Sequence, residues 1–167
     1  MITGIFHCAL RTADLPATIL FYTQILGLLN VPRPPSIKFE GAWLALPTPT
    51  MEAIIHVYAG ATALDTNGKM AANNEQGIVD HLSLAAQGFL QMRATLANAG
   101  ISWREQNRAG ELIWQMFFHD PNGLKIELTF HLAAEPGLPV AIAPQNRYKA
   151  EERFFNAEQY GSLMNAH

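Results

Sequence analysis

Apolar residues along the chain switch between a period of two and a helical period, and each switch marks an element. Residues 4–11 (GIFHCALR) alternate, which puts Phe6, Cys8 and Leu10 on one face and predicts a strand. Asp14 then offers an N-cap, Pro16 sits early and Gly27 closes the run, so DLPATILFYTQILG is expected to be a helix with Leu15, Ile19, Leu20, Tyr22, Ile25 and Leu26 as its apolar stripe. Strands follow near 42–46 (AWLAL) and 52–58 (EAIIHVY). Residues 59–78 break the pattern with a long polar run rich in Ala, Asn and Gly, the kind of connection that is usually functional or mobile.

The second half repeats the plan. A strand is expected at 79–85 (VDHLSLA), a helix at 87–99 with Gly100 at its end, and strands near 102–106, 112–118 (LIWQMFF) and 123–129 (LKIELTF). Asp120 to Gly123 (DPNG) has the residue types of a tight turn. The second half reads as strand, helix, then three strands, and each half is expected to follow that plan. The lines HCALRTADLPATILFYTQILGL and HLSLAAQGFLQMRATLANAGI both begin on a histidine, His7 and His81, 74 residues apart. The expected fold is α+β: two paired βαβββ modules forming a curved, partly open mixed sheet with helices on its outer face. The domain would span 1–130, with modules at about 1–60 and 79–130, a linker at 59–78, and a C-terminal tail over 131–167 that is extended and then helical. That tail would pack on the domain or on a partner subunit.

Composition narrows the function. The chain has 167 residues and 49% apolar residues, enough for a real core. Its charged fraction is 15%, and 11 basic against 14 acidic residues leave a net charge of −3, so no basic excess exists to collect nucleic-acid phosphates. No apolar run reaches the ~18 residues of a membrane helix, and no secretory signal is expected in MITGIFHCALRTADL. The one cysteine, Cys8, excludes an intrachain disulfide and a multi-cysteine zinc site and is expected to be a buried small hydrophobe. A cytoplasmic protein working as a homodimer on a small molecule, without nucleic acid or membrane, is the expectation.

Against so few charges, six histidines stand out. His7 and His81 fall on the first strand of each half, and His56 and Glu127 on the last, 49 and 46 residues further on. Their neighbours Phe6, Cys8, Ile55, Val57, Leu82, Ile126 and Leu128 are apolar, so strand alternation turns the four polar side chains onto the opposite face. A buried carboxylate such as Glu127 is costly unless paired or metal-bound. Imidazole and carboxylate donors suit Zn, Fe, Mn, Ni or Co, and such a set with open positions is a catalytic rather than a structural arrangement. His119, beside the DPNG turn, is expected to be solvated, and His131 and His167 carry no motif.

These residues resemble the vicinal oxygen chelate superfamily, which holds glyoxalase I, bleomycin-resistance proteins, fosfomycin-resistance thiol transferases and type I extradiol dioxygenases. The resemblance is carried by H-x-A-L-R-x-x-D-L-x-x-x-x-x-F-Y-x-x-x-L-G-L at 7–29, GAWLAL at 41–46, IIHVY at 54–58, DHLSL at 80–84 and DPNGLKIEL at 120–128. It implies that His7, His81 and Glu127 are metal ligands and that His56 occupies a position that is Glu in glyoxalase I. Arg11 matches the position of an arginine that meets a substrate carboxylate there. Ala9 stands where the fosfomycin enzymes carry Thr, and Phe117, ten residues before Glu127, where extradiol dioxygenases carry Tyr.

The expectation is a divalent-metal-dependent lyase or isomerase of an uncharacterised glyoxalase-like branch, with one metal (Zn, Ni, Co, Mn or Fe) per site. His7, His56, His81 and Glu127 would be the ligands, Glu127 and His56 would do acid–base work, and Arg11, Gln115 and Phe117 would meet a small anionic, oxygen-chelating substrate. An Fe(II) extradiol-type dioxygenase with His56 free of the metal, and a non-catalytic ligand-sequestering protein of the bleomycin-resistance type, are the alternatives. The modules could pair within one chain or swap between two.

Overall fold

The computed structural model describes residues 1–64, 68–69 and 79–161, and they divide into two compact units, 1–73 and 74–167. The expected connection at 59–78 lies largely outside the described residues, apart from a single 3-10 turn at Gly60–Ala63. No helix among the described residues is long and apolar enough to cross a membrane.

The first unit runs β1 (Cys8–Arg11), α1 (Leu15–Leu20, continuing as a π-helical segment Phe21–Ile25), β2 (Leu29–Val31), β3 (Gly41–Ala45) and β4 (Ala53–Tyr58). The second repeats it as β5 (His81–Ala86), α2 (Phe89–Asn98), β6 (Arg104–Arg108), β7 (Ile113–His119) and β8 (Lys125–His131). The sheet orders are β1-β4-β3-β2 and β5-β8-β7-β6, the same topology twice. In each, the first strand pairs parallel to the last and the other pairs are antiparallel. The internal repeat is thus a repeat of βαβββ modules. The short β2 carries no periodic signal, which is why only two later strands are legible in the first half of the sequence.

Asp14 caps α1 by accepting from the Ala17 amide at 3.0 Å, and Thr12 Oγ1 accepts from the Asp14 amide at 2.9 Å. The residues that α1 and its π-helical extension bury are Ala17, Thr18, Phe21, Tyr22 and Ile25, whereas Leu15, Ile19, Leu20 and Leu26 of the expected stripe are only half-buried. The cause is the π segment: Leu26 N–H reaches back to Phe21 O at 3.4 Å, five residues away, and the wider turn rotates the buried face off a 3.6 period. Gly41 of the GAWLAL strand is required by close approach, since a Cβ there would stand 2.1 Å from Val57 O.

In the second unit Phe89 of α2 packs on Trp114 and Phe130, with ring centroids 5.3 Å apart in both cases. Trp114, Met116 and Phe118 of β7 and Ile126, Leu128 and Phe130 of β8 are buried on this helix-side face. The opposite face of β7 is buried too, at Phe117 and His119, because the tail covers it. That tail departs from the expected helix over 147–160, and the end of that expected helix lies outside the described residues. Residues 132–160 form short 3-10 turns, at Leu132–Ala134, Pro144–Asn146 and Ala157–Tyr160, joined by irregular chain. Its aromatic residues are anchors at separate points on the sheet rather than a helical stripe.

Candidate metal centre

In the first module the register sets the site. Ala9 of β1 and Trp43 of β3 both lie opposite His56 of β4, and Arg11 lies opposite Tyr58. His7 immediately precedes β1, so His7, Ala9 and Arg11 share a face with His56 and Tyr58. The rings of His7 and His56 stack at 3.8 Å, and His56 stacks in turn on Trp43 at 4.3 Å. His56 is therefore buried, 9% exposed, and burial, followed by the neighbouring His7, pushes its pKa below the usual imidazole range. A neutral imidazole is the form a metal requires. His7 Nδ1 is buried with no hydrogen-bond partner among the described residues, an orphaned atom that a metal would satisfy. Arg11 is exposed at the end of β1, and among the described residues it makes no ion pair with Asp14, whose side chain serves the helix cap. Cys8 faces the other way, half-buried, and burial raises its thiol pKa, in keeping with a small hydrophobe.

The second module is more elaborate. Ser83 of β5 and Phe117 of β7 lie opposite Glu127 of β8, and Gln115 lies opposite Thr129. Three donors converge on Glu127 Oε1: Ser83 Oγ at 2.8 Å, Gln115 Nε2 at 2.7 Å and Thr129 Oγ1 at 2.7 Å. Gln115 is held in turn by Gln106 Nε2, which donates to its Oε1 at 2.7 Å. Burial alone would raise the Glu127 pKa, but the donors Thr129, Ser83 and Gln115 and the adjacent His81 outweigh it and keep the carboxyl below its usual range. The other oxygen, Oε2, faces His81 Nε2 at 3.1 Å, while His81 Nδ1 lies 2.7 Å from Asp80 Oδ1. Asp80 is itself held ionised, by hydrogen bonds from His81 and Lys125 first. An ionised carboxylate only accepts, so Asp80 takes the Nδ1 proton and turns Nε2 toward Glu127. The His81 ring thus has a carboxylate oxygen beside each of its nitrogens. A carboxylate that fixes the far nitrogen of an imidazole is the usual support of a metal-binding histidine.

Each module thus brings two of the four expected ligands together, and the donor types fit a divalent ion of the first transition row or zinc. Among the described residues no group of three or more His, Cys, Asp or Glu is arranged to hold a metal. Gln115 and Phe117 share the Glu127 face as expected. Phe117 is edge-on to His81 at 6.3 Å but is covered on its own face by Tyr148, stacked at 3.8 Å. His119 is not solvated. It is 9% exposed, packed against Phe154 and Phe155, and burial, followed by Lys125 and Arg104, lowers its pKa to about 4. Sequence reasoning missed Ser83, Thr129, Asp80, Gln106 and Trp43. A usable signal existed for the first two, since each sits two residues along a strand from a candidate ligand and so shares its face.

No protein-family model matches the chain. It is 30% identical over 129 residues to a lactoylglutathione lyase of Salmonella typhimurium, covering 74% of this chain and 90% of that one. It is 27% identical to a glyoxylase I 4 of Arabidopsis thaliana, covering 76% and 70%. Among solved structures, a glyoxylase/bleomycin resistance protein/dioxygenase domain from Frankia matches with a TM-score of 0.57 at 23% identity, over 78% of this chain and 93% of that one. A genomically encoded fosfomycin resistance protein from Listeria monocytogenes matches with a TM-score of 0.57 at 16% identity, over 78% and 94%.

Proposed function

The chain belongs to the glyoxalase-like family of the vicinal oxygen chelate superfamily, and from that premise we propose that it is a divalent-metal-dependent lyase or isomerase. Its substrate is a small anionic molecule that chelates through vicinal oxygens. The proposed ligands are His7 and His56 in the first module and His81 and Glu127 in the second. The observation that carries the reading is the Asp80–His81–Glu127 line. One Glu127 oxygen is saturated by three donors, and the other is left facing an imidazole nitrogen that a carboxylate orients.

When bound, a divalent ion supplies a Lewis acid that polarises a substrate oxygen. The residues of the chain do the rest. Ser83, Gln115 and Thr129 hold Glu127 in one rotamer and keep it ionised. Glu127 Oε2 and a ring nitrogen of His56 are the two atoms proposed to accept and return a proton. Trp43 and His7 fix the plane of the His56 ring. Arg11 is proposed to meet the substrate's charge. Because His56 stands where glyoxalase I carries Glu, turnover of the methylglyoxal–glutathione adduct is expected to be low.

Metal analysis of protein purified without chelator tests this. A stoichiometric divalent metal that falls away in Glu127→Ala and His81→Ala is the expected result. Protein without such a metal, whose Glu127→Ala variant is as stable as the parent, points instead to a ligand-sequestering role. Iron together with oxygen uptake on catechols would make it a dioxygenase. Full metal content in His56→Gln would remove His56 from the ligand set.

A further inference from the structure

The path of β2 continues past its last ladder pair. Val31 lies opposite Trp43 of β3, and carrying that register two residues further places Arg33 beside Gly41. The sequence holds the chain to this path: Arg33 stands between Pro32 and Pro34, and a residue before proline is kept extended. The side chain is found where the register puts it. Its Nη1 lies 3.3 Å from the place a Gly41 Cβ would take, and its guanidinium carbon stands 5.5 Å from the centre of the Phe39 ring.

Gly41 lies opposite Tyr58, and Tyr58 opposite Arg11. Arg33, Gly41, Tyr58 and Arg11 therefore form one row across the first sheet. The adjoining row is Val31, Trp43, His56 and Ala9, two residues along each strand and so about 7 Å away. Strand alternation puts both rows on one face, that of His7 and His56. Phe39 adds a second ring to the first row, stacked on Tyr58 with centroids 5.0 Å apart.

This row carries a positive charge at each end and no acid between. Arg33 Nη1 is buried without a hydrogen-bond partner, and neither Arg33 nor Arg11 makes an ion pair among the described residues. Glu40, the nearest acid along the chain, pairs with neither; one of its carboxylate oxygens lies 2.9 Å from where a Gly60 Cβ would stand. A buried guanidinium nitrogen without an acceptor is costly, and an anion seated on the row supplies one. The prolines and the Phe39 ring fix Arg33, whereas Arg11 is exposed and able to adjust. The backbones of the two arginines are three strand spacings apart, about 14 Å. Such a pair suits two separated carboxylates: guanidinium forks bind carboxylates bidentately, and the Phe39 and Tyr58 rings between them accept hydrocarbon.

We propose that this row binds a linear dicarboxylate, with Arg33 as the fixed anchor of one carboxylate, Arg11 as the adjustable anchor of the other, and the Phe39 and Tyr58 rings beneath the chain that joins them. The inference deepens the proposed function, on which it rests, by giving the anionic substrate two charges and assigning the second to Arg33.

The test is calorimetric titration of the full chain with linear dicarboxylates of three to seven carbons, against acetate and the matching diamides as probes of lower charge. Arginine Nε–H NMR signals, assigned by their loss in Arg33→Lys and Arg11→Lys, report where binding occurs. A dicarboxylate that binds at least tenfold more tightly than acetate, no binding of the diamides, shifts at both arginine signals, and a loss of tenfold or more in Arg33→Gln are expected. Arg33→Lys keeps the charge without the fork and should lose threefold or more; it decides the matter if Arg33→Gln does not fold. Lys38→Gln removes an exposed charge from the same connection and should leave binding unchanged. Parent-like affinity in Arg33→Gln, an equal loss in Lys38→Gln, or a dicarboxylate that binds no better than acetate overturns the proposal. Dicarboxylate binding that needs Arg33 in a protein without metal would leave this site standing and remove the metal-enzyme reading. A metal dependent on Glu127 in a protein indifferent to Arg33 would do the reverse.

Discussion

Glu127 gathers most of the second module's polar groups onto one carboxylate, so its replacement is felt twice. Glu127→Ala removes the common acceptor of Ser83, Thr129 and Gln115; because these donors are exposed or half-buried, water can replace it, and the net loss is about 0.5–1.5 kcal/mol. Chemical denaturation of the metal-free variant should show a loss in that range, apart from any loss of metal. His119 makes a different prediction. It stays neutral in the folded chain down to about pH 4, while an unfolded histidine protonates near pH 6.5. The unfolded state therefore binds the extra proton in between, and stability present above pH 6.5 is lost as pH falls toward 4. His119→Phe should flatten that part of the stability–pH curve; an unchanged slope would place the titration elsewhere.

At the scale of elements, α2 depends on a residue far from it in sequence. No side chain of its own caps it. Instead the buried Glu135 carboxylate accepts from the Gly88 and Phe89 amides, at 2.8 Å each. Glu135→Ala should cost about 1–2 kcal/mol and fray the first turn of α2, visible as faster amide exchange at Phe89 and Leu90. The tail beyond Glu135 holds by separate anchors: Tyr148 on Phe117, Phe154 on His119 and on the Arg104 guanidinium, the Arg104–Glu152 ion pair, and the Tyr160 hydroxyl donating to His119 O. Ending the chain after Ala143 should uncover Phe117 and His119. Loss of the Phe117 burial alone is worth about 2–3 kcal/mol, so a lower Tm with dye binding to the newly exposed face is expected.

Across the whole molecule, the repeated module explains an odd composition. Three of six histidines and one glutamate sit at matched strand positions, while the scarcity of charge reflects sheet faces filled by aromatic and apolar side chains. If the matched residues hold a divalent ion, the ion stabilises only the folded chain. Free metal at a hundred times its Kd then adds about 2.7 kcal/mol, so thermal unfolding should rise with added metal and fall with chelator. An insensitive Tm would count against the ligand set.

Much of this was legible in the residues themselves. Period-two runs gave seven of the eight strands, and Asp14, Gly27 and Gly100 marked helix ends, because those signals are local: alternation, a cap oxygen, a residue free to take positive φ. The repeat and the His7, His56, His81 and Glu127 positions followed from counting along strands. What tertiary structure alone decided depends on partners distant in sequence. Ser83 and Gln115 meet Glu127 only through sheet register, Glu135 caps a helix 46 residues earlier, and the tail buries Phe117 and His119. The tail's aromatic spacing suggested a helix, yet its contacts with β6 and β7 outweighed that weak local preference and drew it out along the sheet. Burial, and with it the neutrality of His119 and the ionisation of Glu127, is a property of what covers a residue, which no local pattern records.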